Sequence, residues 1–288
     1  MLELDKIDDA IKLLQSAADE YENDSDYLIK LAEAYERRND LKLALKAIIR
    51  GLKIEPDNTE LIAMKASLLV DLSQEREALV ELNRLKKISP ELAYAYYIEA
   101  EAFSRMEKFQ DAKKSISKAL ELSKNEPNAD YFERASDVEA FMENYDSAIS
   151  NIETAIKLEP ENERFKLIKG SILLESGKNE EAKSYALAVS GEEPTNPVLS
   201  FMVIDVLSTL EDKENFEKYL KEMKFPDSMV TLSKLYFGME DEISNENIQE
   251  TLMNLSKEVK GNEFYEELTQ LVYTNLIDKA DEEKDLNE

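Results

Sequence analysis

Along residues 25–58 the apolar positions fall at three- and four-residue steps. Leu28, Leu31, Ala32 and Tyr35 form one set; Asn39-Asp40 interrupts it; Leu41, Ala44, Leu45, Ile48 and Leu52 form a second. Such spacing places the apolar side chains on one side of an α-helix, so the segment reads as two short amphipathic helices joined by a tight turn. Pro56 stops the second helix, because a proline lacks the N–H that a helix interior needs and crowds the preceding turn. Asn58 or Thr59 then supplies an N-cap for the next helix, and Asn162 and Asn196 hold the same place further on. Pro197 follows Asn196 as a first-turn proline, a favoured helix start.

The same hairpin recurs. Ala10, Ala44, Ala78, Ala112, Ala148 and Ala182 are separated by 34, 34, 34, 36 and 34 residues, and a proline stands twelve residues after four of them, at Pro56, Pro90, Pro160 and Pro194. A second set of small residues, Ala17, Gly51, Ala119 and Ala155, lies seven residues beyond the first. Small side chains at fixed register mark places where one helix backbone must approach another. Helices of about 14 residues are marginal alone in water, so each must be stabilised by its mate and by the next hairpin. No alternating strand pattern competes, and only 6 Gly and 7 Pro interrupt the chain.

At these positions the chain resembles the tetratricopeptide repeat family, whose unit carries large, small, large, alanine, large, small and proline at set spacing. The second unit matches with Ile62, Ala66, Leu69, Ala78, Leu82 and Pro90, and the third with Tyr96, Ala100, Phe103, Ala112, Ile116 and Ala119. The fourth offers Phe132, Ser136, Ala148, Ile152, Ala155 and Pro160, with Glu139 in place of a large residue; the fifth offers Gly170, Leu173, Gly177, Ala182 and Pro194. The resemblance implies an all-α fold, a right-handed superhelix of about six helical hairpins. The expected organisation is an N-terminal half-repeat over 1–24 (second helix only), five repeats over 25–196, a degenerate repeat over 197–226 with Phe216 in the alanine slot, capping helices over 227–277 and a solvated acidic tail over 278–288. A second helix without its first, around Ala10, implies either an array that begins with a half-repeat or a fragment of a longer protein.

Charge then narrows the partners. The 63 acidic residues against 36 basic ones give a net charge of −27, which disfavours nucleic acid and anionic membranes. No apolar run reaches the ~20 residues a membrane helix needs, and the first residues lack the basic and apolar regions of a signal peptide, so the expected location is the cytoplasm. With no His, Cys or Trp, the commonest general base, nucleophile and metal ligands are missing. No cofactor, metal or catalytic residue is expected. Gly170 to Asn179 superficially suggests a phosphate loop, but six residues separate its glycines where four are needed, and Asn179 replaces the Ser or Thr.

In the family, first helices of successive repeats line a groove that takes extended peptides or partner helices, and the resemblance implies the same here. At the corresponding spacing the groove residues are Glu33, Tyr94, Tyr97, Glu101, Asp137, Phe141, Phe201 and Asp205. Aromatics on a non-packing face anchor partners, and the surrounding carboxylates suit a segment carrying Lys or Arg beside apolar residues. Glu33 and Ser67 stand where some family members place the Lys and Asn that grip a C-terminal carboxylate, which argues against that ligand. The expected function is a non-enzymatic adaptor or scaffold. A self-associating assembly subunit and a regulatory module of a larger protein are the alternatives.

Overall fold

A computed structural model describes residues 2–17, 21, 24–190, 196–238, 252–255, 257 and 260–285, and the side chains of all of these except 2–5, 190 and 276–285. Pro194, residues 239–251 of the expected capping region and residues 286–288 of the expected tail lie outside the described residues. The chain divides into two compact units, Met1–Asn151 and Ile152–Glu288. Among the described residues the regular structure is α-helical, and no helix is long and apolar enough to cross a membrane.

The first unit contains α1 (Leu2–Ser16), α2 (Ser25–Arg37), α3 (Leu41–Ile54), α4 (Thr59–Asp71), α5 (Glu75–Ile88), α6 (Ala93–Arg105), α7 (Phe109–Leu122), α8 (Ala129–Phe141) and the start of α9 (Tyr145–Leu158). Consecutive helices pair as antiparallel hairpins, α2 with α3, α4 with α5 and α6 with α7, and each hairpin packs on the next. The first helices of neighbouring hairpins also touch, α4 against α6 and α6 against α8, which builds the shared face described below. Ala44, Ala78, Ala112 and Ala148 are wholly buried. At Gly51 even a methyl group would sit 2.9 Å from Leu61 Cδ1, so the small residue there is a steric requirement. Asn58 caps α4 by accepting from the Leu61 N–H at 3.1 Å.

The first rung of the alanine ladder is a correction. Ala10 is exposed, and its neighbour Ile11 is the buried residue among the described side chains of α1. The side that α1 turns inward is thus offset by one residue from that of α3, α5 and α7, where Ala44, Ala78 and Ala112 are buried. It is tied to α2 by Gln15, which donates to the Tyr35 hydroxyl at 3.0 Å, and by the Tyr27 hydroxyl, which donates to the Leu14 carbonyl at 2.9 Å.

The second unit holds the rest of α9 with α10 (Glu163–Glu175), α11 (Asn179–Ser190), α12 (Pro197–Thr209), α13 (Lys213–Glu222), α14 (Asp227–Phe237) and α15 (Glu263–Asp285). Ala182 is wholly buried, as the ladder requires, and Asn196 caps α12 by accepting from the Leu199 N–H at 3.0 Å. Here α12 is the hub, in contact with α10, α11, α13, α14 and α15. Phe216, in the alanine slot, is fully buried, with its ring 4.5 Å from that of Phe237. The helix α15 runs to Asp285, so helix extends into the stretch expected to be a tail.

A backbone feature repeats with the ladder. The turn after each first helix places one residue at positive φ: Asn39, Ser73, Glu107, Glu143, Gly177 and Glu211, spaced 34, 34, 36, 34 and 34 residues apart. The following N–H donates to a carbonyl five residues back, as from Lys108 to Phe103 and from Asn144 to Glu139, each at 2.8 Å. This is a Schellman-type helix end, and it sets the direction in which each second helix departs.

Candidate functional site

The site grows from the register of α6. Tyr94, Tyr97, Glu101 and Arg105 succeed one another at three- and four-residue steps, so they form one stripe along the helix. Because α4 and α8 flank α6, the stripe meets Ser67 and Asp71 on one side and Tyr131, Arg134 and Asp137 on the other. The rings of Tyr94 and Tyr97 stack with centroids 5.9 Å apart, and Tyr97 stacks on Tyr131 at 5.0 Å. Exposure falls along this column. Tyr94 is 39% exposed, Tyr97 half-buried and Tyr131 buried. The outer ring is therefore held by a packed base, which lowers the ordering cost of any contact it makes.

Charged groups surround the rings. The Arg105 guanidinium donates to Glu101 at 2.9 Å, to Asp71 at 3.3 Å and to the Val70 carbonyl at 3.3 Å. Arg134 lies 3.8 Å from Glu101 and 3.5 Å from Asp137, with its guanidinium 6.0 Å from the Tyr97 ring centre. Burial opposes the Arg134 charge, but the nearby Glu101 and Asp137 outweigh it and hold its pKa above the ordinary value. Two carboxylates are raised as well, which for them disfavours the charged form. Burial, then Asp71 and Glu33, raise Glu36; burial and Glu101 raise Asp71 against the opposing Arg105. Burial, helped by Tyr94, Tyr97 and Asp130, pushes Tyr131 up to about 12. Burial also raises Tyr94, although its hydrogen bond with Ser67 works against the shift. The face thus combines an accessible ring with carboxylates that gain from a cation.

Of the residues expected from sequence, Tyr94, Tyr97, Glu101 and Asp137 come together here. Glu33 lies on α2, paired with Lys30 at 3.1 Å, and acts on the group through its charge beside Glu36. Phe141, at the end of α8, is 66% exposed and stacks on Phe109 at 5.1 Å, making a second exposed ring on the first unit. Phe201 and Asp205, in the second unit, are corrections. Phe201 is 6% exposed and meets the Tyr236 ring edge-on, and Asp205 accepts a hydrogen bond from the Tyr236 hydroxyl. The cause is α14, which packs over α12 and covers the face a first helix would otherwise present. Sequence reasoning missed Arg134 and Tyr131; the available signal was their place on α8, facing the α6 stripe across one helix contact.

The fold defines a helical-repeat protein. The tetratricopeptide repeat profiles match residues 1–68, 93–126 and 133–197, and the chain belongs to that family. Its all-α hairpin architecture is the family's. Among solved structures, a tetratricopeptide repeat protein from Parabacteroides merdae ATCC 43184 aligns over 83% of this chain and 94% of its own, with a TM-score of 0.59 at 20% identity. Pseudomonas aeruginosa pilF aligns over 80% and 97%, with a TM-score of 0.57 at 17% identity. In sequence, anaphase-promoting complex subunit 3 of Schizosaccharomyces pombe (strain 972 / ATCC 24843) is 32% identical over 108 residues, 38% of this chain. That match spans only 16% of the relative's length.

Proposed function

We propose that the α4–α6–α8 face of the first unit holds a segment of a partner protein, and that the chain is a non-enzymatic cytoplasmic adaptor. The carrying observation is Tyr94, an exposed ring on a supported tyrosine column with Asp71, Glu101 and Asp137 around it. Supported aromatic rings are typical energetic anchors of interfaces. The fitting segment carries an apolar side chain to cover the rings and a Lys or Arg to meet the carboxylates, because Arg105 and Arg134 offset only part of the acidic charge. Membership of a family of protein-interaction repeats supports the reading, and so does the absence of His and Cys from the sequence, which leaves few groups for general-base or nucleophilic chemistry.

The test is selection of peptides from a random display library against the full chain, followed by affinity measurement on variants. Tyr94→Ser should weaken the selected peptides by roughly 1–3 kcal/mol, whereas Lys87→Ser, an exposed change on α5, should leave them unchanged. Tyr94 is a better probe than Tyr97, whose ring also packs against buried Tyr131 and contributes to folding. Selected peptides indifferent to Tyr94, or without enrichment in Lys and Arg, would remove this reading.

A further inference from the structure

The second unit carries a basic hollow where α13 turns into α14. Its apolar lining is Leu220, Phe225 and Val230, and its volume is about 300 Å³. Phe225 is held edge-on by Tyr219 at 5.9 Å and by Tyr265 at 6.2 Å, so the lining is preformed. Lys221, Lys224 and Lys234 also line it, from the end of α13, the connecting turn and α14, and Glu217 is the one carboxylate among them. Lys224 sits at φ 52, a left-handed conformation that fixes the turn between the two helices. None of the three ammonium groups pairs with a carboxylate among the described residues. Other lysines of this acidic chain do find carboxylates, as Lys65 does with Glu81 and Lys169 with Glu153. Three lysines without a carboxylate partner among the described residues thus surround one apolar hollow, in a chain whose net charge is −27.

We propose that this hollow binds a short acidic segment of a partner protein that carries one aromatic or large aliphatic side chain. The volume is at the lower end for ligand sites and suits one such side chain. The lysines complement carboxylates on either side of it. An inorganic anion would leave the apolar lining unused. A polyanion such as nucleic acid or an anionic bilayer meets the repulsion of the −27 net charge, which a segment bearing a few carboxylates largely escapes once salt screens distant charges. The site is separate from the tyrosine face of the first unit and does not depend on its assignment.

The experiment titrates the full chain, followed by amide NMR shifts, with the capped peptide Asp-Glu-Phe-Asp-Glu and with inorganic phosphate. The expected result is saturable peptide binding with shifts centred on residues 217–234. The ring-free peptide Asp-Glu-Ser-Asp-Glu should bind about tenfold more weakly, and the Lys221→Gln, Lys224→Gln, Lys234→Gln variant should lose at least about tenfold in affinity. Replacing the same lysines by Arg keeps the charge and should preserve binding, while Glu217→Gln removes the opposing charge and should tighten it. Glu217, Lys221 and Lys224 are exposed and Lys234 is half-buried, and the changes keep side chains of similar length, so the variants should fold. No saturable binding, shifts centred elsewhere, equal affinity of the Gln variant, or phosphate and the ring-free peptide binding as well as the aromatic one would each overturn the proposal.

Discussion

At the scale of single residues, the repeat is fixed by two kinds of constraint, and only one is legible in the sequence. Buried small residues announce themselves by recurrence, and Ala44 through Ala182 occupy the contacts their spacing implies. Ala112→Trp should therefore cost about 3 kcal/mol, because a large ring cannot be accommodated in a fully packed contact. Lys53→Ala, on an exposed position, should stay within about 0.5 kcal/mol by the same urea-unfolding measurement. The left-handed turn position does not announce itself, because five of its six occurrences are not glycine. A side chain at that φ costs roughly 1–2 kcal/mol, partly offset by the greater freedom glycine has in the unfolded chain. Glu107→Gly should accordingly raise stability by up to about 1 kcal/mol, and Gly177→Ala should lower it by a similar amount although no atom crowds the new methyl. An unchanged urea midpoint in both variants would show that the turn is not strained. Ala10 marks the limit of reading by recurrence: the letter repeats, but in α1 the buried position is Ile11.

At the scale of helices, the stripe on α6 was readable because one helix carries it: Tyr94, Tyr97 and Glu101 follow directly from helical spacing. Arg134 was not, since its meeting with Glu101 depends on how α8 lies against α6. Phe201 was misjudged for the same physical reason. Its burial is imposed by α14, which comes some 30 residues later in the chain. The tertiary arrangement also gives the face a pH dependence that no single helix carries. Glu36 and Asp71 have folded pKa values above the ordinary carboxylate range, chiefly through burial and then through neighbouring acids. A raised carboxylate pKa means that folding penalises the charged form; the penalty is present above the folded pKa and is relieved as pH falls through it. A bound Lys or Arg acts oppositely and favours the charged form. Selected basic peptides should therefore weaken as pH falls toward the raised values, starting above the usual range near 4, and binding there should release protons. Calorimetry in buffers of different ionisation enthalpy reads that release directly. Asp71→Asn should reduce it; an identical proton count in wild type and variant would separate these carboxylates from binding.

At the scale of the whole molecule, the dominant quantity is the net charge of −27 on 288 residues. Like charge at this density opposes compactness, and the opposition is long-ranged at low ionic strength, where the screening length exceeds about 10 Å. Salt also weakens the attractive pairs, so the two effects compete. Exposed pairs such as Lys12–Asp9 and Lys114–Asp111 contribute little, about 0–1 kcal/mol each, while tighter pairs such as Lys65–Glu81, at 2.6 Å and mostly shielded from water, are screened least. The repulsive sum should therefore dominate the response. Raising salt from about 20 mM to about 500 mM should raise the melting temperature, while the association rate of a basic peptide with the tyrosine face falls because steering is lost. Light scattering under the same conditions tests the self-association alternative. A mass near 33.0 kDa at low salt is expected for copies that repel one another, and a constant dimer mass at both salts would favour an assembly subunit instead. A melting temperature that falls with salt would mean that attractive pairs, rather than net repulsion, govern the fold.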